Sequence, residues 1–286
     1  MTFSERYGYK KARETIQIES IDSPLRNSLW NLLTRFVWND VQWPSGGYNI
    51  CSLSSGPNFM VRNLCEKLWF DYFKEPLDKM GNDWRLIYKY LRSYFYDCQW
   101  HEVYDFVEFV ANQYERPEFE YAFITSCNGA LEKENSAYRF VGGFITRITD
   151  KQEIDEIDQA IETKYSPVRV HIQQALTLMS NREAPDFRNS IKESISAVES
   201  LAKIATDDGK GTLGGLLKIL ETRIQLHSAL KDAFNKLYGY TSDEGGIRHA
   251  LMEPDSIYYE DAKFFLVACS AFINLIEAKI ARLRVH

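Results

Sequence analysis

The chain has 286 residues, of which 45% are hydrophobic and 26% are charged. This composition is typical of a globular protein, it excludes a disordered one, and the length has room for two ordinary domains. The formal net charge is −6, and residues 1–150 and 151–286 each carry 17 basic and 20 acidic residues. Neither part is therefore a basic nucleic-acid-binding surface as a whole, and any RNA contact needs a local patch or one formed by dimerisation.

The sequence predicts neither a membrane span nor an export signal. No apolar run approaches the ~20 residues that cross a bilayer. The first eleven residues lack the apolar segment of a signal peptide. The five cysteines are odd in number and no pair has the spacing of zinc ligands, which indicates free thiols in a reducing compartment. We therefore expect a cytoplasmic protein without a metal or another cofactor.

The aromatic residues divide the chain. Residues 1–150 contain 30 of the 40, including all six tryptophans, which favours a domain boundary near residue 150. Ser23 as a cap followed by Pro24 predicts the first helix, and turn residues between Trp43 and Pro57 predict a loop. Four apolar stripes with helical spacing predict helices in this part: Leu25, Leu29, Leu32 and Phe36; Val61, Leu64, Leu68 and Tyr72; Trp84, Ile87, Leu91 and Tyr94; and Val103, Phe106, Val110 and Tyr114.

The segment 138–148 predicts a small β-hairpin. Two runs rich in β-branched and aromatic residues flank the pair Gly142-Gly143, which suits a tight two-residue turn.

Helical patterns resume directly afterwards. Thr149 and Gln152 have the spacing of a capping box, Ser166-Pro167 predicts the next helix start, and Asp186 predicts the cap of a third helix. Shorter apolar stripes around Leu217 and Phe234 follow, and the last predicted helix runs from about 256 to 284. Helices joined by short loops, each with one apolar stripe, pack as a bundle. The predicted fold is thus mainly α, in two parts: an aromatic-rich helical domain over 1–150 and a helical bundle over 151–286.

Few residues in the sequence could carry chemistry. Gly209-Lys210-Gly211-Thr212 lacks the leading glycine and the strand of a phosphate-binding loop, so an ordinary loop is expected. Among the histidines, His249 stands out because it follows Arg248 directly after two glycines at a predicted helix start. Free backbone N–H groups there favour a phosphate, arginine donates to it in a bidentate way, and histidine transfers protons near neutral pH. Spacing alone favours the alternative, in which Arg248 forms an ion pair with Asp243 or Glu244 and His249 only packs.

Two blocks resemble a known family. Residues 183–205 and the segment Tyr240–Leu251 are similar to the HEPN domains of abortive-infection (phage-defence) proteins. The opening residues 3–9, followed by 16–20 and 25–33, resemble an N-terminal domain of AbiJ-type proteins. The resemblance implies a HEPN-like bundle at the C-terminus and a homodimer with a metal-independent endoribonuclease site across its interface.

The resemblance implies particular roles for the residues that match. In such a site a 2′-hydroxyl of RNA attacks the adjacent phosphate, His249 moves the proton and Arg248 stabilises the developing charge. Arg188, Asn189 and Lys192 would bind the substrate, with Glu199 as a further polar candidate. The family separates its arginine and histidine by four to six residues, whereas here they are adjacent and point about 100° apart on a helix.

Two functional interpretations therefore stay open. The first is a phage-defence effector that cleaves RNA, under control of the N-terminal domain and an unidentified trigger. The second is a catalytically inactive HEPN module for dimerisation and for binding RNA or protein.

The other arginine–histidine pair, Arg223 and His227, also lacks the family's spacing.

Overall fold

The computed structural model describes residues 3–7, 9, 16–43, 51–53, 56–181, 184–242 and 257–283. It is mainly helical with one small antiparallel sheet, which confirms the predicted fold class. The chain forms two compact units, Met1–Arg147 and Ile148–His286.

The first unit contains six α-helices and the sheet among its described residues. The elements are α1 (Phe3–Arg6), α2 (Ser23–Phe36), α3 (Phe59–Lys67), α4 (Trp84–Asp97), α5 (Trp100–Gln113), α6 (Phe119–Lys133), β1 (Arg139–Val141) and β2 (Phe144–Thr146). A π-helical turn, Leu68–Tyr72, continues α3. Short 3-10 helices lie at Trp38–Asp40, Gly56–Asn58 and Leu77–Lys79.

Rings fill the core of this unit. The indole of Trp30 contacts the rings of Trp38, Tyr88 and Phe95, with centroids between 5.1 and 6.3 Å apart. Arg26 reaches the end of α4, where its Nη1 donates to the carbonyl of Tyr96 at 2.7 Å. The aromatic residues that the sequence concentrates here are therefore structural.

The hairpin forms as predicted. Val141 pairs with Phe144, and both turn glycines adopt positive φ, +56° at Gly142 and +86° at Gly143. Asn112 of α5 donates from Nδ2 to the carbonyl of Gly143 at 2.9 Å, and a Cβ at Gly143 would lie 3.0 Å from Asn112 Oδ1. The close approach of α5 therefore adds to the reasons for glycine at this turn.

A second contact from α5 holds the same hairpin. The Glu108 carboxylate accepts a hydrogen bond from the backbone N–H of Ile145. Burial raises the pKa of Glu108 to about 7, because a charged carboxylate is costly in a poorly solvated position.

The second unit is a helical bundle. Its elements are α7 (Lys151–Ile161), α8 (Ser166–Ser180), α9 (Phe187–Thr206), α10 (Leu213–Arg223), α11 (Ser228–Ser242) and α12 (Tyr259–Leu283). α9 is central and packs against α8, α10 and α12. α7 lies on α12, where Lys263 Nζ contacts the Glu153 carboxylate at 2.9 Å and Asn274 Nδ2 donates to Glu156 Oε2 at 2.7 Å.

α12 is more apolar than the sequence analysis allowed. Its 25 residues include a window of mean hydropathy 1.8, so that by length and composition alone this helix is able to cross a bilayer. Within the bundle, however, its apolar stripe is buried against neighbouring helices, as in the core helix of a helical protein: Ala262, Phe265, Leu266, Cys269, Phe272, Ile273 and Ile276.

Two predicted helix caps are wrong by one residue. Asp22, and not Ser23, caps α2 by accepting from Leu25 N. Asp150, and not Thr149, caps α7 by accepting from the backbone of Gln152 and Glu153. In both cases the neighbouring aspartate competes with the hydroxyl for the free N–H groups of the first turn. The predicted cap at Asp186 is confirmed, since its side chain accepts from Asn189 N.

Candidate functional site on helices α8 and α9

The site rests on the tight antiparallel pair formed by α8 and α9. Ser190 is fully buried and its Oγ donates to the carbonyl of Ala175 at 2.8 Å, while Ser194 Oγ donates to the carbonyl of Ser190 at 3.0 Å. Small side chains with satisfied hydroxyls let two helices approach closely. The polar side chains on the outer edge of this pair are therefore held on rigid elements.

Two of the predicted substrate-binding residues lie in one hydrogen-bonded row at the start of α9. Asp186 Oδ2 accepts from Asn189 Nδ2 at 2.6 Å, and Asn189 Oδ1 accepts from Lys192 Nζ at 3.2 Å. Asn189 is exposed, Lys192 is half-buried, and Arg188 in the same turn is half-buried as well. The structure thus brings Asn189 and Lys192 together.

A histidine–carboxylate pair lies one turn further along the same edge. His171 Nδ1 of α8 is 2.7 Å from Glu193 Oε2 of α9, and about a third of each side chain is exposed (32% and 27%). Glu193 follows Asn189 by four residues, so both side chains are on one face of α9. Asp186, Asn189 and Glu193 share this face with His171, and Lys192 reaches it from the side through its bond to Asn189; we call these five residues the α8–α9 strip.

Arg248 and His249, the predicted catalytic pair, lie outside the described residues. The first helix after them does give one point of reference. Tyr259, at the start of α12, contacts Phe187 at the start of α9 with ring centroids 6.3 Å apart. α12 therefore begins beside the turn of α9 that carries Arg188 and Asn189.

The alternative pair Arg223 and His227 serves the backbone. Arg223 Nη1 donates to the carbonyl of Ala205 at 2.6 Å, and His227 Nδ1 accepts from the backbone N–H of Ala229 at 3.1 Å. Glu199 pairs with Lys203 one turn later on α9, at 2.6 Å. These contacts are those of helix ends and a helix surface.

The loop Asp208–Thr212 is an ordinary loop, as expected. The Asp208 carboxylate accepts from the backbone N–H groups of Lys210 and Gly211, each at 3.0 Å. A carboxylate thus occupies the donors that a phosphate-binding loop would offer to its ligand.

None of the five cysteines forms a disulfide, as the sequence predicts. Burial raises the pKa of Cys269 to about 12 and that of Cys98 to about 11. Both thiols are therefore protonated near neutral pH and are poor nucleophiles. In the part of the chain that the structure describes, no group of three or more His, Cys, Asp and Glu side chains could hold a metal ion.

Sequence reasoning missed the His171–Glu193 pair. The two residues are 22 positions apart and neither belongs to a local motif. The apolar residues of α8 and α9 do predict two helices in antiparallel contact, and such a pairing places residues 171 and 193 at the same level. The antiparallel pairing identifies this particular contact only once the register of the two helices is known.

These features define a class of protein: a mainly helical chain of two units, with an aromatic-rich N-terminal unit and a C-terminal helical bundle whose α8–α9 edge is polar. Comparison with known families identifies the first part. Residues 1–163 match AbiJ N-terminal domain 4, which is more than half of the chain, and the protein belongs to this family. The family gives the chain an abortive-infection, phage-defence context.

The family match extends beyond the predicted boundary at 150 and includes the whole of α7. No curated protein and no solved structure matches the chain. The C-terminal HEPN assignment and the boundary at residue 150 therefore stay predictions.

Proposed function

We propose that the protein is a phage-defence effector that cleaves RNA with a HEPN-like bundle over residues 151–286. The observation that supports this proposal is the contact between the start of α9 and the start of α12. Phe187 is the first residue of α9 and belongs to the block 183–205, and Tyr259 is the start of the helix that follows the block 240–251. Two blocks that are distant in sequence would in this way contribute to one site.

The proposed chemistry is metal-independent transesterification. A 2′-hydroxyl of RNA loses its proton and attacks the adjacent phosphate, and the 5′-oxygen leaves with a proton, which gives a 2′,3′-cyclic phosphate and a 5′-hydroxyl. His249 moves protons and Arg248 stabilises charge on the phosphate oxygens. Asn189 and Lys192, with Arg188, bind the RNA backbone.

A homodimer accounts for the adjacency of Arg248 and His249. Side chains of neighbouring helical residues diverge, so one protomer presents them in different directions. In a two-fold dimer the arginine of one protomer and the histidine of its partner can act on the same phosphate. Light scattering of the purified chain at micromolar concentration tests this part, and a monomer would contradict it.

The partners that we propose are a second copy of the chain and single-stranded RNA, in the cytoplasm and without a membrane. The N-terminal domain would control activation in response to a phage trigger. The surplus of acidic residues makes a local basic group such as Lys192 and Arg188 important, because the chain as a whole repels nucleic acid.

The experiment is an RNA-cleavage assay in EDTA with wild type and His249→Ala, accompanied by host-cell toxicity on expression. We expect the variant to lose about 10²–10⁴-fold in rate while its fold and dimer persist. Arg248→Ala should weaken cleavage, and Arg248→Lys should not restore it if the contact is bidentate. His101→Ala in α5 is the matched control.

Full cleavage by a folded His249→Ala protein would contradict the catalytic assignment. A wild type that binds RNA or a protein partner without cleaving would favour the rival interpretation, a catalytically inactive HEPN module for dimerisation and binding.

A further inference from the structure

The histidine–carboxylate pair of the α8–α9 strip differs from the other such pair in the described residues. His171 and Glu193 are 2.7 Å apart and join two helices. His101 and Asp105 belong to one helix, are 3.9 Å apart and are more exposed, at 44% and 64%. An imidazole fixed through Nδ1 by a carboxylate presents its Nε2 in a defined direction, which is the arrangement found in acid–base catalysis.

We infer that His171 is a second catalytic residue of the proposed RNA cleavage, and that Glu193 is its positioning residue. The inference rests on the proposed function, and it adds residues that the family resemblance does not indicate. Its geometric basis is the close pair, its partial exposure, and Asn189 one turn away on the same face of α9, with Lys192 bonded to Asn189.

The strip also supplies groups that suit an RNA phosphodiester. Lys192 Nζ donates to Asn189 Oδ1 at 3.2 Å, and Asn189, whose Nδ2 also donates to Asp186, lies about one turn from Glu193. A phosphate bound to Lys192 and Asn189 would bring the neighbouring ribose towards His171. Asn189 and Glu193 are four residues apart, which is about one helical turn of ~5.4 Å along the axis.

The step is balanced in protons and electrons. His171 Nε2 accepts the proton of the 2′-hydroxyl while the 2′-oxygen forms a bond to phosphorus. The bond from phosphorus to the 5′-oxygen breaks, and that oxygen takes a proton from His249, the other proton-transfer residue of the proposed function. Glu193 accepts the N–H of Nδ1 throughout, which keeps Nε2 available as the acceptor and stabilises the imidazolium that forms.

The test compares full-length variants by single-turnover cleavage of a single-stranded RNA in EDTA, with end-group analysis of the products. We expect His171→Ala to lose about 10²-fold or more in rate with little change in RNA affinity. Added imidazole should restore part of this activity, which a merely structural role would not allow. His101→Ala, which removes the looser pair, should cleave like wild type.

Glu193 is tested by two substitutions. Glu193→Gln should lose on the order of tenfold or more in rate at unchanged affinity, and Glu193→Asp should retain more activity than Glu193→Gln because it keeps the acceptor charge. If His171→Ala does not fold, His171→Asn keeps a polar contact to Glu193 and replaces it in the comparison.

The outcomes separate the inference from the proposed function. A wild type that cleaves, with a folded His171→Ala that cleaves equally well, overturns the role of His171 and leaves Arg248 and His249 as the site. Loss of rate without rescue by imidazole, accompanied by loss of RNA affinity, overturns proton transfer by His171. A wild type that neither cleaves RNA nor harms the host cell overturns the proposed function, and with it the catalytic role of His171 and Glu193.

Discussion

The two units of this protein bury different kinds of side chain. In the first unit the largest fully buried residues include Phe95, Phe106, Phe123 and Phe140, whereas the helix at the centre of the second, α9, buries isoleucine, valine, leucine, alanine and serine. Buried tyrosine hydroxyls need internal partners, and the first unit supplies them. Tyr72 and Tyr94 share a hydrogen bond of 2.9 Å, and Tyr114 donates to Asp40 at 2.6 Å.

This difference between the two cores determines where polar side chains stabilise the fold and where they are left on the surface. In the first unit the hydroxyls of Tyr72, Tyr94, Tyr104 and Tyr114 are engaged inside the fold, and burial raises the pKa of Tyr104 to about 12. In the second, small side chains let helices pack tightly and leave an edge of polar groups in contact with solvent. We therefore expect the proposed catalytic groups on the bundle, and we expect the aromatic unit to contribute through the surface that its fold presents.

The largest expected effect on stability comes from removing α7. The family match includes this helix with the N-terminal domain, whereas the division into compact units places it in the bundle. A fragment of residues 149–286 should fold, whereas one of residues 164–286 should not, because the latter lacks Ile154, Ile157 and Ala160, which cover α12 and α8. Circular dichroism and urea unfolding measure this. A fragment 164–286 as stable as 149–286 would assign α7 to the first domain.

Removing a buried ring should affect one unit only. Phe95→Ala should cost about 3–5 kcal/mol, because it removes contacts to Trp30, Tyr96 and Phe106 and leaves a cavity. Calorimetry of the full chain should show one of two transitions moving, with the exposed Phe264→Ala as the control. A single transition that shifts as a whole would show that the two units unfold together.

The buried Glu108 carboxyl predicts that the difference in unfolding free energy between wild type and Glu108→Gln depends on pH. Because its folded pKa of about 7 lies above the unfolded value of ~4.3, folding takes up a proton between these values and stability falls as pH rises through that range. Glu108→Gln should match wild type near pH 5 and exceed it by about 2 kcal/mol near pH 8. Urea midpoints across this range measure the difference. Glu120→Gln, an exposed carboxyl, is the control, and an unchanged difference at all pH values would contradict the prediction.

The smallest effect concerns two buried serines of the bundle. Ser270 Oγ on α12 has no hydrogen-bond partner among the described residues, whereas Ser190 Oγ bonds Ala175. Ser270→Ala should therefore leave stability unchanged or raise it by up to about 1 kcal/mol, and Ser190→Ala should lower it by about 1 kcal/mol. Thermal unfolding compares the stability of the two variants. Equal losses of stability would contradict the difference in hydrogen bonding between Ser270 and Ser190.

Much of the fold was predictable because local signals agreed. The double glycine identified the hairpin, and the proline at position 167 identified the start of α8. α6 was not predicted. Its buried residues, Phe119, Phe123, Cys127 and Leu131, recur every four positions and form only a narrow stripe, and Gly129 and two β-branched residues between them lower the helical propensity of the segment.

The site was less predictable because its contacts are not local. Asp186 and Asn189 are neighbours on one helix, and their relation follows from the cap. The contact between His171 and Glu193 depends on the register of two helices, which close packing of Ala175 with Ser190 determines. Side-chain volume, and not a motif, sets that register.

The position of α12 in the bundle has a consequence for synthesis on the ribosome. Domains tend to fold in the order in which they emerge, and the ring-filled core of the first unit is complete once residue 140 has been made. α7, α8 and α9, in contrast, lack their cover until residues 259–283 follow. The nascent chain therefore carries a folded N-terminal unit while the bundle is still open, so an RNA-cleaving activity of the bundle would arise only after most of the chain has left the ribosome.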